Sequence, residues 1–151
     1  MAWEQNPYAV KVTLVAGADL SAKQFCFVKL DGNSITGTPS AIAATQATDY
    51  CIGILQNQPK VVASGTVSGA TVYNYGEAEV TISGITKVVA GATNIAIGGR
   101  LSVDTSGRAV PVSATNASAT KYILGTALSA SSATGDIITM VVSTSAAVLS
   151  A

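Results

Sequence analysis

The first candidates for chemistry are two carboxylates two positions apart, in the segment Glu77-Ala78-Glu79-Val80-Thr81-Ile82-Ser83. Side chains alternate along an extended chain, so Glu77 and Glu79 would stand on one face of a strand. Such a pair could divide general acid and general base work in a hydrolase, or hold a divalent cation. No third and fourth oxygen ligand is recognisable nearby. Glu77 and Glu79 therefore read as surface carboxylates on a solvated or partner-facing strand, and no metal site is expected.

Two glycine-containing stretches invite a phosphate-loop reading, Gly98-Gly99-Arg100 and Asp104-Thr105-Ser106-Gly107-Arg108. Neither carries the glycine-rich loop ending in Lys-Ser or Lys-Thr that cradles a triphosphate. The second predicts a β-turn instead: Asp104 accepts backbone hydrogen bonds, Gly107 takes a position of positive φ, and Arg108 restarts a strand. Arg100 and Arg108, the only arginines, remain candidates for pairing with a partner's carboxylates. Cys26 and Cys51 lack partners at metal-site spacing and read as a free buried pair, with a disulfide as the alternative.

Histidine is absent, which removes the commonest general base and metal ligand. The six lysines are scattered singly, without the basic patch interleaved with aromatics that nucleic-acid binders show. Asn116-Ala117-Ser118 matches a glycosylation acceptor, but the N-terminus has no basic region followed by an apolar core, so the match reads as accidental. No stretch approaches the roughly 20 apolar residues of a bilayer span. No enzymatic activity, cofactor, nucleic acid or membrane partner is expected.

The elements that must position these residues are short strands. The 151 residues suit one domain. Formal net charge is zero, and charged residues make only 11% where roughly 25% is usual, so much of the exterior is expected to be covered by something. Strand-like segments run through Tyr8 to Val15, Gln24 to Leu30, Tyr50 to Leu55, Lys60 to Ala63, Thr66 to Gly69, Thr71 to Gly76, Glu77 to Ser83, Thr86 to Gly91 and Gly135 to Val142. Ser40 to Asp49 reads as a short helix or a loop. Strands of four to seven residues between glycine turns, with no long amphipathic helix, predict an all-β fold: a small Gly-rich β-barrel or β-tulip domain with an extended N-terminal arm. Residues 1–15 form the arm and first strand, 16–142 a single β domain, and 143–151 a C-terminal tail. A weak internal echo, Ala16-Gly17-Ala18 against Ala90-Gly91-Ala92 and Tyr50-Cys51-Ile52-Gly53 against Tyr122-Ile123-Leu124-Gly125, suggests two related halves at an offset of about 72 to 74 residues.

Several of these segments together resemble the capsid cement, or head decoration, proteins of tailed bacteriophages. They are the aliphatic strand within Ala16 to Leu30, Ile52-Gly53-Ile54-Leu55 to Pro59, the glycine-bounded Val61 to Gly69, and Gly98-Gly99-Arg100-Leu101-Ser102-Val103-Asp104-Thr105-Ser106-Gly107-Arg108-Ala109. Ile123-Leu124-Gly125-Thr126-Ala127-Leu128 and Gly135-Asp136-Ile137-Ile138 to Val142 complete the pattern. The resemblance implies a compact β domain without catalysis, forming homotrimers on the outer surface of an expanded capsid. It also implies contact with the major capsid protein and synthesis in the host cytoplasm.

Under that reading Trp3, Tyr8, Lys11, Arg100 and Arg108 are the capsid-contact candidates, and the arm from Ala2 to Val15 is expected to add a strand to an exposed edge. A Trp that covers one end of the chain's own core is the alternative for Trp3. The expected function is a structural virion protein that stabilises contacts between major capsid protein subunits. The rival is a β-barrel glycan-binding or adhesin-like display module, for which Trp3, Tyr8, Tyr73 and Tyr75 would supply the aromatic patch.

Overall fold

A computed structural model of the chain describes residues 9–32, 38–68, 70–112, 121–143 and 148–149. Trp3 and Tyr8, Asn116-Ala117-Ser118 and most of the C-terminal tail fall outside them. The described residues form strands and turns and no helix.

Five strands close a first ring. They are β1 (Val10–Ala16), β2 (Phe27–Leu30), β3 (Ser40–Ala43), β4 (Gly53–Leu55) and the first half of a long β7 (Glu77–Val89), paired in the order β1-β3-β2-β4-β7 and back to β1. The second half of β7 continues into β12 (Ile137–Ser143), β11 (Gly125–Ala127), β8 (Arg100–Val103) and β9 (Ala109–Pro111). A bridge between Ala90 and Ala109 brings β9 back to the end of β7 and closes a second ring. The all-β, barrel-like fold expected from the short strands is thus observed as two small rings sharing one strand.

Two sequence expectations are corrected. Of Ser40 to Asp49, expected as a short helix or a loop, Ser40–Ala43 is a strand, parallel to β1 and antiparallel to β2, its backbone bonds to both neighbours outweighing the helical preference of its alanines, while Ala44 to Asp49 is a loop. Glu77 to Ser83 and Thr86 to Gly91 are not separate strands. Gly84 takes φ +96 within one continuous β7.

The same backbone bonds occur in both rings. The Ala16 amide donates to the Gly76 carbonyl at 2.8 Å, and the Ala90 amide to Asp136 at 2.8 Å. Gly17 donates to Ala41, and Gly91 to Ala109; Ile52 donates to Val28, and Leu124 to Leu101; Leu55 donates to Cys26, and Ala127 to Gly99. Where the first ring runs from Gln56 to Gly76 it carries a two-stranded ribbon, β5 (Val61–Val67) with β6 (Ala70–Tyr75), whereas the second ring runs from Leu128 to Asp136 through a short turn. A further two-residue pair, β10 (Lys121–Tyr122) with β13 (Val148–Leu149), lies outside both rings.

Each ring is filled by side chains at matching places. Ala16, Leu20, Val28, Ala41, Leu55, Ala78 and Val80 are buried together in the first; Ala90, Ile95, Leu101, Ala109, Ala127, Ile138 and Met140 are buried in the second. Leu55 in one is matched by Ala127 in the other, while Ala78 and Val80 are matched by Ile138 and Met140. A loss of volume on one strand is compensated on its neighbour, as a close-packed interior demands. Ala127→Leu alone is therefore expected to overpack the second ring by about 1–3 kcal/mol. The triple change A127L/I138A/M140V, which copies the first ring, should recover most of that loss in urea denaturation; a triple no more stable than A127L would refute the equivalence.

All of β4 and the first two residues of β2 are buried, so both faces of the sheet are covered there. Val28 and Leu55 point into the first ring, while Phe27 and Ile54, one position earlier and so on the opposite face, join the core of the second together with Ala44 and Cys51. The turn expected at Asp104 forms as predicted: Asp104 Oδ1 accepts the amides of Ser106 and Arg108 at 2.8 Å, and Gly107 takes φ +82. Its role extends beyond the turn, because the Gly107 carbonyl accepts the Phe27 amide at 2.7 Å. A Cβ on Gly107 would press on Phe27 and Cys26 at 3.1 and 3.3 Å. The turn of the second ring is thereby seated on the first.

Candidate functional surface

The outer face of β7 in the first ring holds both surface carboxylates, with β1 on one side and the segment after β4 on the other. Because β1 and β7 are antiparallel with Lys11 opposite Thr81 and Thr13 opposite Glu79, Lys11 reaches the Glu79 carboxylate two positions away, at 2.5 Å. Both side chains are half-exposed, so this pair adds little to stability. Asn57 lies beside the carboxylates and reads only backbone: its amide nitrogen donates to the Glu77 carbonyl at 2.7 Å, and its oxygen accepts the Glu79 amide at 3.0 Å. Among the described residues no three of the His, Cys, Asp and Glu side chains gather as a metal site would require.

A second polar group follows β4. The Gln56 side chain donates to the Ile54 carbonyl and accepts from Thr86 Oγ1; Gln24 donates to the Gln56 carbonyl at 2.8 Å, and Gln58 donates to Gln24 at 3.1 Å. Phe25, between these amides, has φ 61, a conformation unusual for an aromatic residue, and its ring lies 5.7 Å from the Lys87 ammonium. Its counterpart in the second ring is Gly98, φ 80, with the matching amide bond: Phe25 donates to Leu55 and Gly98 to Ala127, both at 2.8 Å. The run Gln56-Asn57-Gln58 after an aliphatic strand is the sequence signal that could have located this cluster.

The arginines part company. Arg108 is spent inside its own turn, its guanidinium on Asp104 Oδ2 at 2.8 Å. Arg100 is exposed at the start of β8, across from Thr126. The structure thus brings Lys11 and Glu79 together, leaves Arg100 and Glu77 at separate exposed positions, and holds Arg108 in a turn. Trp3 and Tyr8 lie outside the described residues, as do the rings of Tyr73 and Tyr75. Tyr50, half-exposed, meets its counterpart Tyr122 edge to face at 5.3 Å.

Both cysteines are free and buried. Burial pushes the Cys51 thiol up to about 12, with the Asp49 carboxylate adding to the shift, and burial likewise raises Cys26. A thiolate is the reactive form, so neither is poised as a nucleophile. The native protein is expected to leave both thiols unmodified by a disulfide reagent at pH 8 and to release both after denaturation; fast reaction of one thiol in the native state would contradict this.

These features define a class by architecture: two fused five-stranded β rings with a polar outer surface on one and an inserted ribbon. No protein-family model and no curated protein matches the chain. Among solved structures it is similar to the N base of the head fiber protein gp8.5 of bacteriophage phi29, with TM-score 0.56 and 18% identity, over 91% of this chain and 98% of that one. At that identity the likeness is one of fold.

Proposed function

We propose that the chain is a non-catalytic structural protein of a bacteriophage virion, a base module standing on the outer surface of the head. The observation that carries this reading is the fold shared with a head-fiber base along nearly the full length of both chains. The low charge supports it, since a module that sits among shell subunits covers much of its exterior.

Within this reading the likeness to a fiber base favours an appendage: a display or adhesin-like module that presents its outer side to a glycan. The second finer reading is cement. Homotrimers bound to the major capsid protein of the expanded shell would stabilise that state by mass action, with several feet per trimer raising avidity.

The test is co-sedimentation of the purified chain with compact and expanded shells, alongside a glycan array. Binding to shells of either form supports the base module. Saturable binding to expanded shells alone, with raised shell stability, selects cement; shell binding with a glycan hit and unchanged shell stability selects display. Binding to neither shell would sink the proposal.

A further inference from the structure

Phe25 is held at a positive φ that bulky side chains rarely adopt. Its backbone is pinned from both sides: the amide donates to the Leu55 carbonyl at 2.8 Å, and the carbonyl accepts the Val89 amide at 2.9 Å. The second ring makes the matching amide bond with Gly98, a residue type that takes φ 80 without strain. Glycine therefore satisfies the fold at this corner, and the aromatic ring of Phe25 serves something other than closure.

The neighbouring positions repeat the contrast. Gln24 precedes Phe25 as Ile97 precedes Gly98, and Gln56 corresponds to Leu128, the two donating their amides to Glu79 and Thr139 of the adjoining strands. Ile97 and Leu128 complete the second ring without a polar side-chain atom, so the fold does not require the glutamines either. Their hydrogen-bonding capacity is also not used up. Gln24 uses one N–H on the Gln56 carbonyl and accepts one bond from Gln58, and Gln58 uses that single N–H. A primary amide carries two donors and an oxygen that accepts twice, so each keeps groups of both kinds for a ligand. Gln58 is exposed, and Gln24 and Phe25 are half-buried. Lys87 borders them, its ammonium 5.7 Å from the centre of the Phe25 ring. Thr139, directly opposite Lys87 on β12, has a buried hydroxyl with no hydrogen-bond partner among the described residues.

We propose that Phe25, Gln24 and Gln58, bordered by Lys87, form a carbohydrate-binding site that takes a pyranose unit of a surface glycan. An aromatic ring offers an apolar surface to the C–H face of the sugar, and each hydroxyl, itself donor and acceptor, is matched by an amide that is both. The site rests on the display reading of the chain and gives that reading named residues apart from Trp3, Tyr8, Tyr73 and Tyr75.

An array of bacterial surface polysaccharides and their component oligosaccharides, probed with the labelled full chain, tests the site. Wild type is expected to bind members of the array, and Q24A/Q58A to lose at least about tenfold in affinity with unchanged circular dichroism, the loss of two hydrogen-bonding side chains. Phe25→Gly copies the second ring and relieves the backbone, so it should keep a melting temperature near that of wild type while losing binding to a similar extent. Ile97→Ala, at the counterpart of Gln24, should bind as wild type does. In NMR spectra of the wild type with the oligosaccharide that the array selects, the side-chain amide signals of Gln24 and Gln58 should shift. If Phe25→Gly fails to fold, Q24A/Q58A and the amide signals decide, since neither glutamine belongs to the core. Binding that persists undiminished in Q24A/Q58A and Phe25→Gly overturns the site while sparing the display reading, because the glycan then binds elsewhere on the chain. A wild type that binds no member of the array overturns both.

Discussion

Alanine at Gly53 or Gly125 is expected to destabilise the protein by about 3 kcal/mol or more, for the addition of one methyl group. The two glycines correspond, each beginning the strand that crosses closest to a neighbour: Gly53 pairs with Val28 and Gly125 with Leu101. A Cβ on Gly53 would overlap the Thr81 carbonyl oxygen and press on Val80; on Gly125 it would overlap the Val141 carbonyl oxygen and the Met140 methyl. Backbone carbonyls held in the ladder cannot move aside as a side-chain tip can, so strand pairing itself must give. Against a total of roughly 5–15 kcal/mol for a domain, that loss is large. Gly32, around which a Cβ would meet nothing within 4 Å, is the control, and Gly32→Ala should stay within about 0.5 kcal/mol of wild type. Urea denaturation of the three variants checks the order; a Gly125→Ala protein as stable as Gly32→Ala would show that the strands are not so closely apposed.

Those glycines also mark what was legible in the sequence. Glycine punctuation between β-branched runs predicts short strands, and the predicted segments around Val10, Phe27, Gly53, Glu77 and Ile137 are strands in the structure. The Asp104 turn is local, closed by bonds reaching at most four residues, and the sequence predicts it in detail. The arrangement of the rings is not local. That β7 serves both depends on pairing with β1 and β12, far apart in the chain, and no property of Glu77 to Val89 announces it. Repetition is faint because the β5–β6 ribbon interrupts one half, so no single offset aligns both.

The candidate surface follows the same division. That Glu77 and Glu79 share a face follows from period two alone. That Glu79 is held by Lys11, 68 positions away, follows from antiparallel pairing. Sequence alone offers Arg108 to a partner's carboxylate, but in the structure the Asp104 carboxylate serves both the turn and the arginine, one oxygen on backbone amides and the other on the guanidinium. The isoleucines and leucine of the second ring read as ordinary strand residues, since an aliphatic side chain carries no mark of whether it points inward. Ile85, Ile97, Leu128 and Ile137 are exposed in the folded chain, and the strand pairing, not the residue type, decides it.

The correspondence of the rings gives a second large expected effect, at Phe27. Phe27 and Arg100 occupy matching outward positions, on β2 opposite Ile54 and on β8 opposite Thr126. Phe27 is fully buried where the first ring meets the second, while Arg100 is exposed. Phe27→Ala removes a buried ring at that junction and is expected to cost about 3–5 kcal/mol; Arg100→Ala should cost less than about 0.5 kcal/mol. Phe27, Ile54, Cys51 and Ala44 belong to one contiguous core with Leu101, Ile138 and Met140, so the rings are expected to unfold together in a single transition. The loss of Phe27 should lower that transition as a whole, because the Phe27 amide bond to Gly107 and the Val89 amide bond to Phe25 still tie the rings across the junction. Calorimetry of the wild type and Phe27→Ala distinguishes the cases. Two separated transitions in the wild type would mean that the rings are independent units and that the junction carries little of the stability assigned to it here.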